Sequence, residues 1–201
     1  MTMLDKVIAA VTPPESEAAR AEARAKAREK AVPGGWLEAV LDHHLQIEDS
    51  FAAVRNASDA TSRRGAQKQL AVLLTGHSLA EEAVIYPALA LNGEKAHATS
   101  AYTEQSAAKV QLAGLDELDP MSQDYLDKLE HLRGAVLHHV YEEEKNWFCD
   151  LQDKLDKGAH DKLAARYAEE FRRYIGMAPP QRGAQGMAQG MSPGYAQGIA
   201  P

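Results

Sequence analysis

The sequence lacks the features that mark several large classes of protein. Its 201 residues include a single cysteine, Cys149, so an intramolecular disulfide is excluded, as is typical of the reducing cytoplasm. No apolar run approaches the roughly 20 residues that span a bilayer. Residues 1–17 lack the basic stretch and apolar run of a secretory signal. We therefore expect a cytoplasmic protein with no membrane partner.

Positive charge and strand-forming residues are also scarce. The chain carries 22 Lys and Arg against 29 Asp and Glu, for a net charge of -7. Because a nucleic-acid-binding surface needs clustered Lys and Arg, we expect no nucleic-acid partner. The residues that are abundant, Ala, Leu, Glu, Lys and Gln, favour helix over strand. The predicted fold class is all-α.

Helical periodicity and helix breakers predict a four-helix bundle over residues 35–157. Segment A runs from Trp36 to about Asn56, segment B from about Thr61 to Leu91, segment C from about Glu94 to Leu118, and segment D to about Lys157. Asp119 and Pro120 resemble an N-cap followed by proline at the first helical position. Segment D is therefore predicted to begin there and to stop at Gly158.

Regions of different composition flank the predicted bundle. Residues 1–34 are predicted to form a helical arm, with a short amphipathic helix over 3–11 and an Ala-rich, solvated helix over 15–31. Residues 158–175 are predicted to add a helix that packs on the outside of the bundle. Residues 176–201 are rich in Gly, Pro, Gln and Met and nearly uncharged, so we expect a disordered tail.

Ionisable residues interrupt the apolar faces of three segments. The face of segment B reads Leu70, Leu73, His77, Glu81, Val84, Ala88. The face of segment D reads Leu129, Leu132, Val136, His139, Glu143, Trp147, Leu151. In segment A, His44 is the polar residue among Leu37, Val40, Ile47, Phe51 and Val54. A buried carboxylate needs a compensating partner, and a cation is the strongest one, so this conjunction predicts a metal site.

A repeated unit indicates that the site holds more than one ion. HSLAEEAVIYP (77–87) and HVYEEEKNWFC (139–149) share His-x3-Glu-Glu and then an apolar and an aromatic residue at equal offsets. Two such helices related by a near twofold axis would surround one cavity with two imidazoles and two carboxylates. An isolated His-x3-Glu pair is more often a surface ion pair. His43, Glu48 and His138 lie off the apolar faces and are predicted to be peripheral.

Four motifs in order resemble one known family over about residues 36–155. They are Asp42-His43-His44 followed by Phe51; His77, Glu81, Glu82, Tyr86 and Pro87; Glu104-Gln105 followed by Lys109 and Leu112; and His139, Glu143, Glu144 and Phe148. The chain resembles the hemerythrin HHE cation-binding domain. The resemblance implies an up-down-up-down four-helix bundle with two iron ions, joined by an oxo or hydroxo bridge, that bind dioxygen at an open position. It implies the ligands His44, His77, Glu81, His139 and Glu143, with both glutamates bridging the irons.

Segment C departs from the family pattern, because Gln105 stands where the family usually has a histidine. An amide oxygen is a weaker iron ligand than an imidazole. Gln105 could bind weakly or through water, or Tyr102, one turn earlier, could supply a phenolate. Alternatively, the coordination shell of one metal stays incomplete, and the site is labile or mononuclear.

Three functions are consistent with these residues. The first is a non-haem di-iron protein that binds or senses dioxygen, nitric oxide or peroxide. The second is a di-iron enzyme that consumes peroxide or reduces nitric oxide, although the sequence contains no evident acid–base pair or substrate pocket. The third is a metal-free or mononuclear helical bundle that acts as an interaction or scaffold protein, with an unidentified protein partner. His and carboxylate ligands also suit manganese and zinc.

Overall fold

The computed structural model describes residues 15–177, which are helical with no β-strand among them. The helices are α1 (Glu17–Lys30), α2 (Trp36–Asn56), α3 (Ala60–Ala80), α4 (Tyr86–Leu91), α5 (Lys95–Ala113), α6 (Gln123–Glu142), α7 (Phe148–Lys154) and α8 (Lys157–Met177). A first π turn, Glu81–Ile85, joins α3 to α4, and a second π turn, Glu143–Trp147, joins α6 to α7. The predicted helix over 3–11 lies outside the described residues. So does the predicted tail over 176–201, except for Gly176 and Met177, which are not tail but the last residues of α8.

Four rods form the up-down-up-down bundle, which confirms the predicted fold class. The rods are α2, α3 with α4, α5, and α6 with α7. Local capping fixes two of their starts. The Asp59 carboxylate accepts a hydrogen bond from the Ser62 amide at 2.9 Å, and the Ser122 hydroxyl accepts one from the Tyr125 amide at 3.2 Å. Gly93, with φ of 97°, supplies the left-handed residue between the second and third rods.

The structure corrects two predicted boundaries of the bundle. Segment C ends as a helix at Ala113, and segment D begins at Gln123 with Ser122 as its N-cap, so the prediction for Asp119 and Pro120 was wrong. The Asp119 carboxylate instead accepts from the Met121 amide, within the connecting turn.

Segment D also ends earlier than predicted. Its last helix stops at Lys154, and Lys157 is already the first residue of α8. Gly158 therefore does not stop a helix. The next helix begins here because the Asp156 carboxylate accepts from the Ala159 amide at 2.8 Å, which caps its first turn.

A layer of polar side chains separates two apolar parts of the core. The tryptophan cluster, on one side, contains Trp36, Leu37, Val40, Leu41, Ile85, Leu89, Trp147, Phe148 and Leu151. The leucine cluster, on the other side, contains Ile47, Phe51, Val54, Leu70, Leu74, Leu112, Leu129, Leu132 and Val136. The polar layer between them consists of His44, His77, Glu81, Gln105, His139 and Glu143, all buried.

The two flanking helices pack on the bundle. Helix α1 buries Ala23 and Ala27, so it is not the fully solvated helix that its composition predicted. Helix α8 packs against α3 and α2 and buries Tyr167, while Phe171 contacts the core. Each flanking helix therefore lies close to a rod that carries part of the polar layer. Within residues 15–177, no helix is long and apolar enough to cross a bilayer.

Candidate metal centre

Four side chains of the polar layer converge on one point. One donor atom from each of His44, His77, Glu81 and Glu143 lies within 4.8 Å of the others, and all four residues are buried. His77 Nε2 is 3.1 Å from Glu81 Oε2, and His44 Nε2 is 3.4 Å from Glu143 Oε2. Imidazole nitrogens and carboxylate oxygens are the donors that iron, manganese and zinc take up in proteins.

Both carboxylates stand at the start of a π turn. The Tyr86 amide donates to the Glu81 carbonyl, and the Phe148 amide donates to the Glu143 carbonyl, so each turn holds one residue more than an α turn. Such single wide turns within helices occur often at functional sites. The helical spacing in the sequence did not predict these π turns. Pro87, which cannot donate the next helical hydrogen bond, was the available signal in the first unit.

The three histidines are held from outside by hydrogen bonds to their second ring nitrogen. The Nδ1 partners are Glu144 Oε1 for His44 at 2.9 Å, the Tyr167 hydroxyl for His77 at 2.9 Å, and Glu104 Oε2 for His139 at 2.8 Å. Each contact leaves the corresponding Nε2 directed to the interior. This arrangement orients metal-binding histidines in proteins and fixes their tautomer. Glu104 and Glu144 were quoted above as parts of motifs but without a predicted role, and Tyr167 was not predicted as a partner.

The donor set fits a cation because several of its atoms are buried without a partner. His44 Nε2, Glu81 Oε1, Glu143 Oε2 and Gln105 Oε1 form no hydrogen bond with any of the described residues. An unsatisfied buried carboxylate oxygen costs the desolvation free energy of that group. A positive ion between these atoms would remove this cost for several of them at once.

Tyr86 lies at the centre of a second group of potential metal ligands. Its hydroxyl is 2.8 Å from Glu143 Oε1, 3.1 Å from His139 Nε2 and 3.2 Å from Glu81 Oε2, and the residue is fully buried. The carboxylates of Glu81 and Glu143 thus belong both to the first group of potential ligands and to this second one. His44 belongs only to the first group, and His139 only to the second. Tyr86 belongs to one of the quoted sequence motifs but was not predicted as a metal ligand.

The structure separates the two candidates from segment C. Gln105 is buried in the polar layer, where its Nε2 donates to Glu81 Oε2 at 2.7 Å and to the Tyr86 hydroxyl at 2.5 Å. Tyr102 is 38% exposed, and its hydroxyl donates to the Glu82 carbonyl at 2.6 Å. The structure therefore brings Gln105 to the cluster and leaves the Tyr102 hydroxyl outside it.

The peripheral histidines and glutamate have partners of their own. His43 is half-buried, and its Nδ1 lies 2.8 Å from the Tyr167 hydroxyl. Glu48 pairs with Arg24, and His138 pairs with Glu15 at 2.7 Å. None of the three contributes a donor to the converging group of His44, His77, Glu81 and Glu143.

Burial and mutual charge shift the protonation of the donors in different directions. Burial disfavours a charged His139, but the carboxylates of Glu143 and Glu104 together outweigh burial and raise the pKa of His139 to about 10. Burial, with the charge of Glu143, raises the pKa of Glu81 to about 7. Burial lowers the pKa of His77 well below its ordinary value. Despite burial, the charge of His139 lowers the pKa of Glu143. Without a cation, a protonated His139 thus balances the ionised Glu143 carboxylate, and a metal would displace that proton.

A small cavity adjoins the donors on the side of the leucine cluster. It measures about 20 Å³, enough for one water-sized molecule. Its apolar lining comes from Ile47, Leu74, Ala108, Val136 and Val140, and its polar lining includes His77, Gln105 and His139. The arrangement provides a confined apolar space beside a set of potential metal ligands.

The fold and the donors define the chain as a helical bundle with a cluster of histidines and glutamates in its core. More specifically, the chain belongs to the hemerythrin HHE cation-binding domain family, whose model matches residues 37–151. The chain is also 24% identical over 127 residues to a DNA nickase of Nostoc sp. strain PCC 7120. That similarity covers 63% of this chain and 36% of the nickase, so the chain matches only about a third of that protein's length. No solved structure gives a significant match.

Proposed function

We propose that the chain is a non-haem di-iron protein that binds or senses a small ligand such as dioxygen, nitric oxide or peroxide. The observation that carries the proposal is the pair of donor groups that share two carboxylates. Glu143 directs Oε2 towards His44 and Oε1 towards Tyr86 and His139. A carboxylate with its two oxygens in different donor groups is arranged to bridge two ions.

The side chains divide into two sets around the shared carboxylates. His44 and His77 would hold one iron, and His139 and the Tyr86 oxygen would hold the other. Gln105 would act chiefly through its hydrogen bond to Glu81 Oε2, with the weak amide ligand of the sequence analysis as the alternative. Tyr102 would not be a ligand, because its hydroxyl is bonded to the Glu82 carbonyl.

The size and lining of the cavity favour a ligand of two or three atoms. About 20 Å³ of space, enough for one water-sized molecule and lined largely by aliphatic side chains, matches a diatomic molecule or peroxide better than a larger substrate. Bound iron would supply the redox-active, ligand-accepting centre. The protein would hold the ligand beside it and exclude bulk water.

Iron stoichiometry tests the two-ion proposal. Anaerobic titration of the metal-free protein with Fe(II), followed by elemental analysis, should give two irons per chain. His139→Ala should lower the ratio to one, whereas His97→Ala, a half-exposed histidine paired with Glu94, should leave it at two. Fewer than one iron per wild-type chain would favour the metal-free scaffold.

A matched pair of tyrosine variants tests whether the Tyr86 oxygen is a ligand of the second iron. Tyr86→Phe should abolish any visible tyrosine-to-iron charge-transfer absorption and weaken retention of one iron. Tyr102→Phe removes the same atom from the neighbouring ring, whose centroid is 5.2 Å from that of Tyr86. Its spectrum should match that of the wild type. Equal spectra for all three proteins would exclude Tyr86 as a ligand.

A cavity-filling variant tests the small-ligand proposal. Ala108→Val places two methyl groups at the cavity wall and should slow the binding of nitric oxide or dioxygen to the reduced iron protein. The iron content should stay unchanged. An unchanged binding rate would place the ligand elsewhere. Peroxide turnover that depends on His77 would favour the enzyme instead.

A further inference from the structure

Helix α1 lies outside residues 37–151, the range that the family model matches, yet one of its side chains reaches Glu144, the hydrogen-bond partner of His44. The Arg24 side chain is 16% exposed and makes two charged contacts. Its Nε donates to Glu144 Oε1 at 2.9 Å, and one of its terminal nitrogens donates to Glu48 Oε1 at 2.5 Å. Arg24 thus joins the arm to two different rods of the bundle.

Glu144 connects this arginine directly to the candidate metal centre. The same oxygen, Oε1, accepts from Arg24 Nε and lies 2.9 Å from His44 Nδ1. The Glu144 side chain is fully buried, and its Oε2 has no hydrogen-bond partner among residues 15–177. A buried carboxylate in this position depends on the positive charge of Arg24, because removing one partner of a buried pair leaves the other uncompensated.

We infer that docking of helix α1 and metal binding at His44 are thermodynamically coupled through Arg24 and Glu144. This inference rests on the proposed metal site. A cation at His44 Nε2 would fix the ring and keep Nδ1 as the donor to Glu144. The carboxylate would then be held in the position that Arg24 requires, so metal would favour the docked arm. Coupling between two sites is reciprocal, so a docked arm would favour bound metal by the same factor.

Helix α1 packs weakly enough on the bundle for its docking to respond to metal binding. Its buried residues are Ala23 and Ala27, which contribute little apolar area. Its outward ion pairs, such as Arg28 with Asp42 at 2.8 Å, are exposed and contribute little free energy. A helix of 14 residues is marginally stable when it is isolated in water. Undocking should therefore also unfold the helix, and a change of one contact in the polar layer should shift the population of undocked chains measurably.

Hydrogen exchange of the full chain tests the coupling. Amide exchange over residues 17–30 is followed by mass spectrometry in the metal-free protein and after loading with Fe(II) under anaerobic conditions. We expect iron to slow this exchange about tenfold, within the usual range of coupling between two sites. The amides of α6 around Leu132 serve as an internal reference for global unfolding.

Two arm variants assign the effect to one side chain. Arg24→Gln should remove the difference between the iron-loaded and metal-free arm and should weaken iron retention against a chelator about tenfold. Lys26→Gln alters an exposed residue of the same helix whose ion pair, among residues 15–177, is with Glu22 of that helix, and it should behave as the wild type. An Arg24→Gln chain with a normal α6 reference has folded, so its arm can be compared directly.

The outcomes separate this inference from the metal site itself. If the protein binds two irons but the arm exchanges equally fast with and without iron, the coupling is wrong and the metal site remains. If Arg24→Gln keeps the full difference, the path through Arg24 and Glu144 is wrong. If the wild-type chain takes up no iron, the metal site fails and the coupling fails with it.

Discussion

The leucine cluster and the polar layer occupy adjacent parts of one bundle, but they differ in the free energy of burying their side chains. In the leucine cluster, side chains such as Phe51, Leu70 and Leu132 are fully buried against one another, and their transfer from water is favourable by itself. In the polar layer, the equally buried Glu81 and Glu143 carry oxygen atoms without partners among residues 15–177. The same helices therefore carry both an apolar core that is stable without a ligand and a polar layer that an added cation would complete.

The largest effect on folding should come from the leucine cluster. Leu132→Ala removes a fully buried side chain and should lower the free energy of unfolding by about 2–5 kcal/mol, through lost burial and a residual cavity. Denaturant unfolding of the metal-free protein measures it. Val110→Ala, at a position 74% exposed, is the control and should change stability by less than about 0.5 kcal/mol. Iron content per folded Leu132→Ala chain should be unchanged. A loss of iron would contradict the view that the leucine cluster and the polar layer act independently.

The polar layer should contribute stability mainly when metal is present. At a free iron concentration a hundred times the dissociation constant, the wild-type protein should be stabilised by about 2.7 kcal/mol relative to its metal-free form. His77→Ala should lose most of this gain, because it removes a donor that is 3.1 Å from Glu81. Thermal unfolding with iron and with chelator measures the difference. A metal-dependent shift in His77→Ala as large as in the wild type would show that the ion binds elsewhere.

The difference between the two regions also explains what could be predicted from the sequence. Apolar residues three or four apart predicted the helices of the bundle, and the same spacing placed His44, His77 and His139 on their apolar faces. Tyr86 could not be found in this way. It follows Glu81 by five residues, which an α-helix separates by about 140° around its axis. The first π turn changes this relation and brings Tyr86 to the side of Glu81.

The outer partners could not be predicted because they depend on tertiary packing. Tyr167 is 90 residues from His77, and Arg24 is 120 residues from Glu144. Both lie on helices beyond the matched domain. Their local patterns are those of ordinary flanking helices. The start and the end of segment D were misplaced for a local reason. Ser122 and Asp156 cap the helices there, and these residues lie close to the more conspicuous Pro120 and Gly158.

A single hydroxyl group gives a finer comparison. Tyr167→Phe removes the hydrogen-bond partner of His77 Nδ1 while keeping the buried ring. Because such outer contacts orient metal-binding histidines, iron affinity should fall about 10- to 100-fold. Competition with a chromophoric chelator measures it. Unchanged affinity would mean that packing, rather than this hydroxyl, holds the His77 ring.

The smallest effect should follow from removing the same atom in the leucine cluster. The buried Tyr125 hydroxyl donates to Gln67 Oε1 at 3.0 Å, away from the polar layer. Tyr125→Phe should cost about 0.5–1.5 kcal/mol of unfolding free energy, the net contribution of one such hydrogen bond. Denaturant unfolding measures this cost, and iron affinity should be that of the wild type. Because both variants lose one buried phenolic oxygen, a fall in iron affinity for Tyr167→Phe alone would assign that oxygen to the metal site. Similar falls for both variants would mean that iron binding responds to the rigidity of the whole bundle.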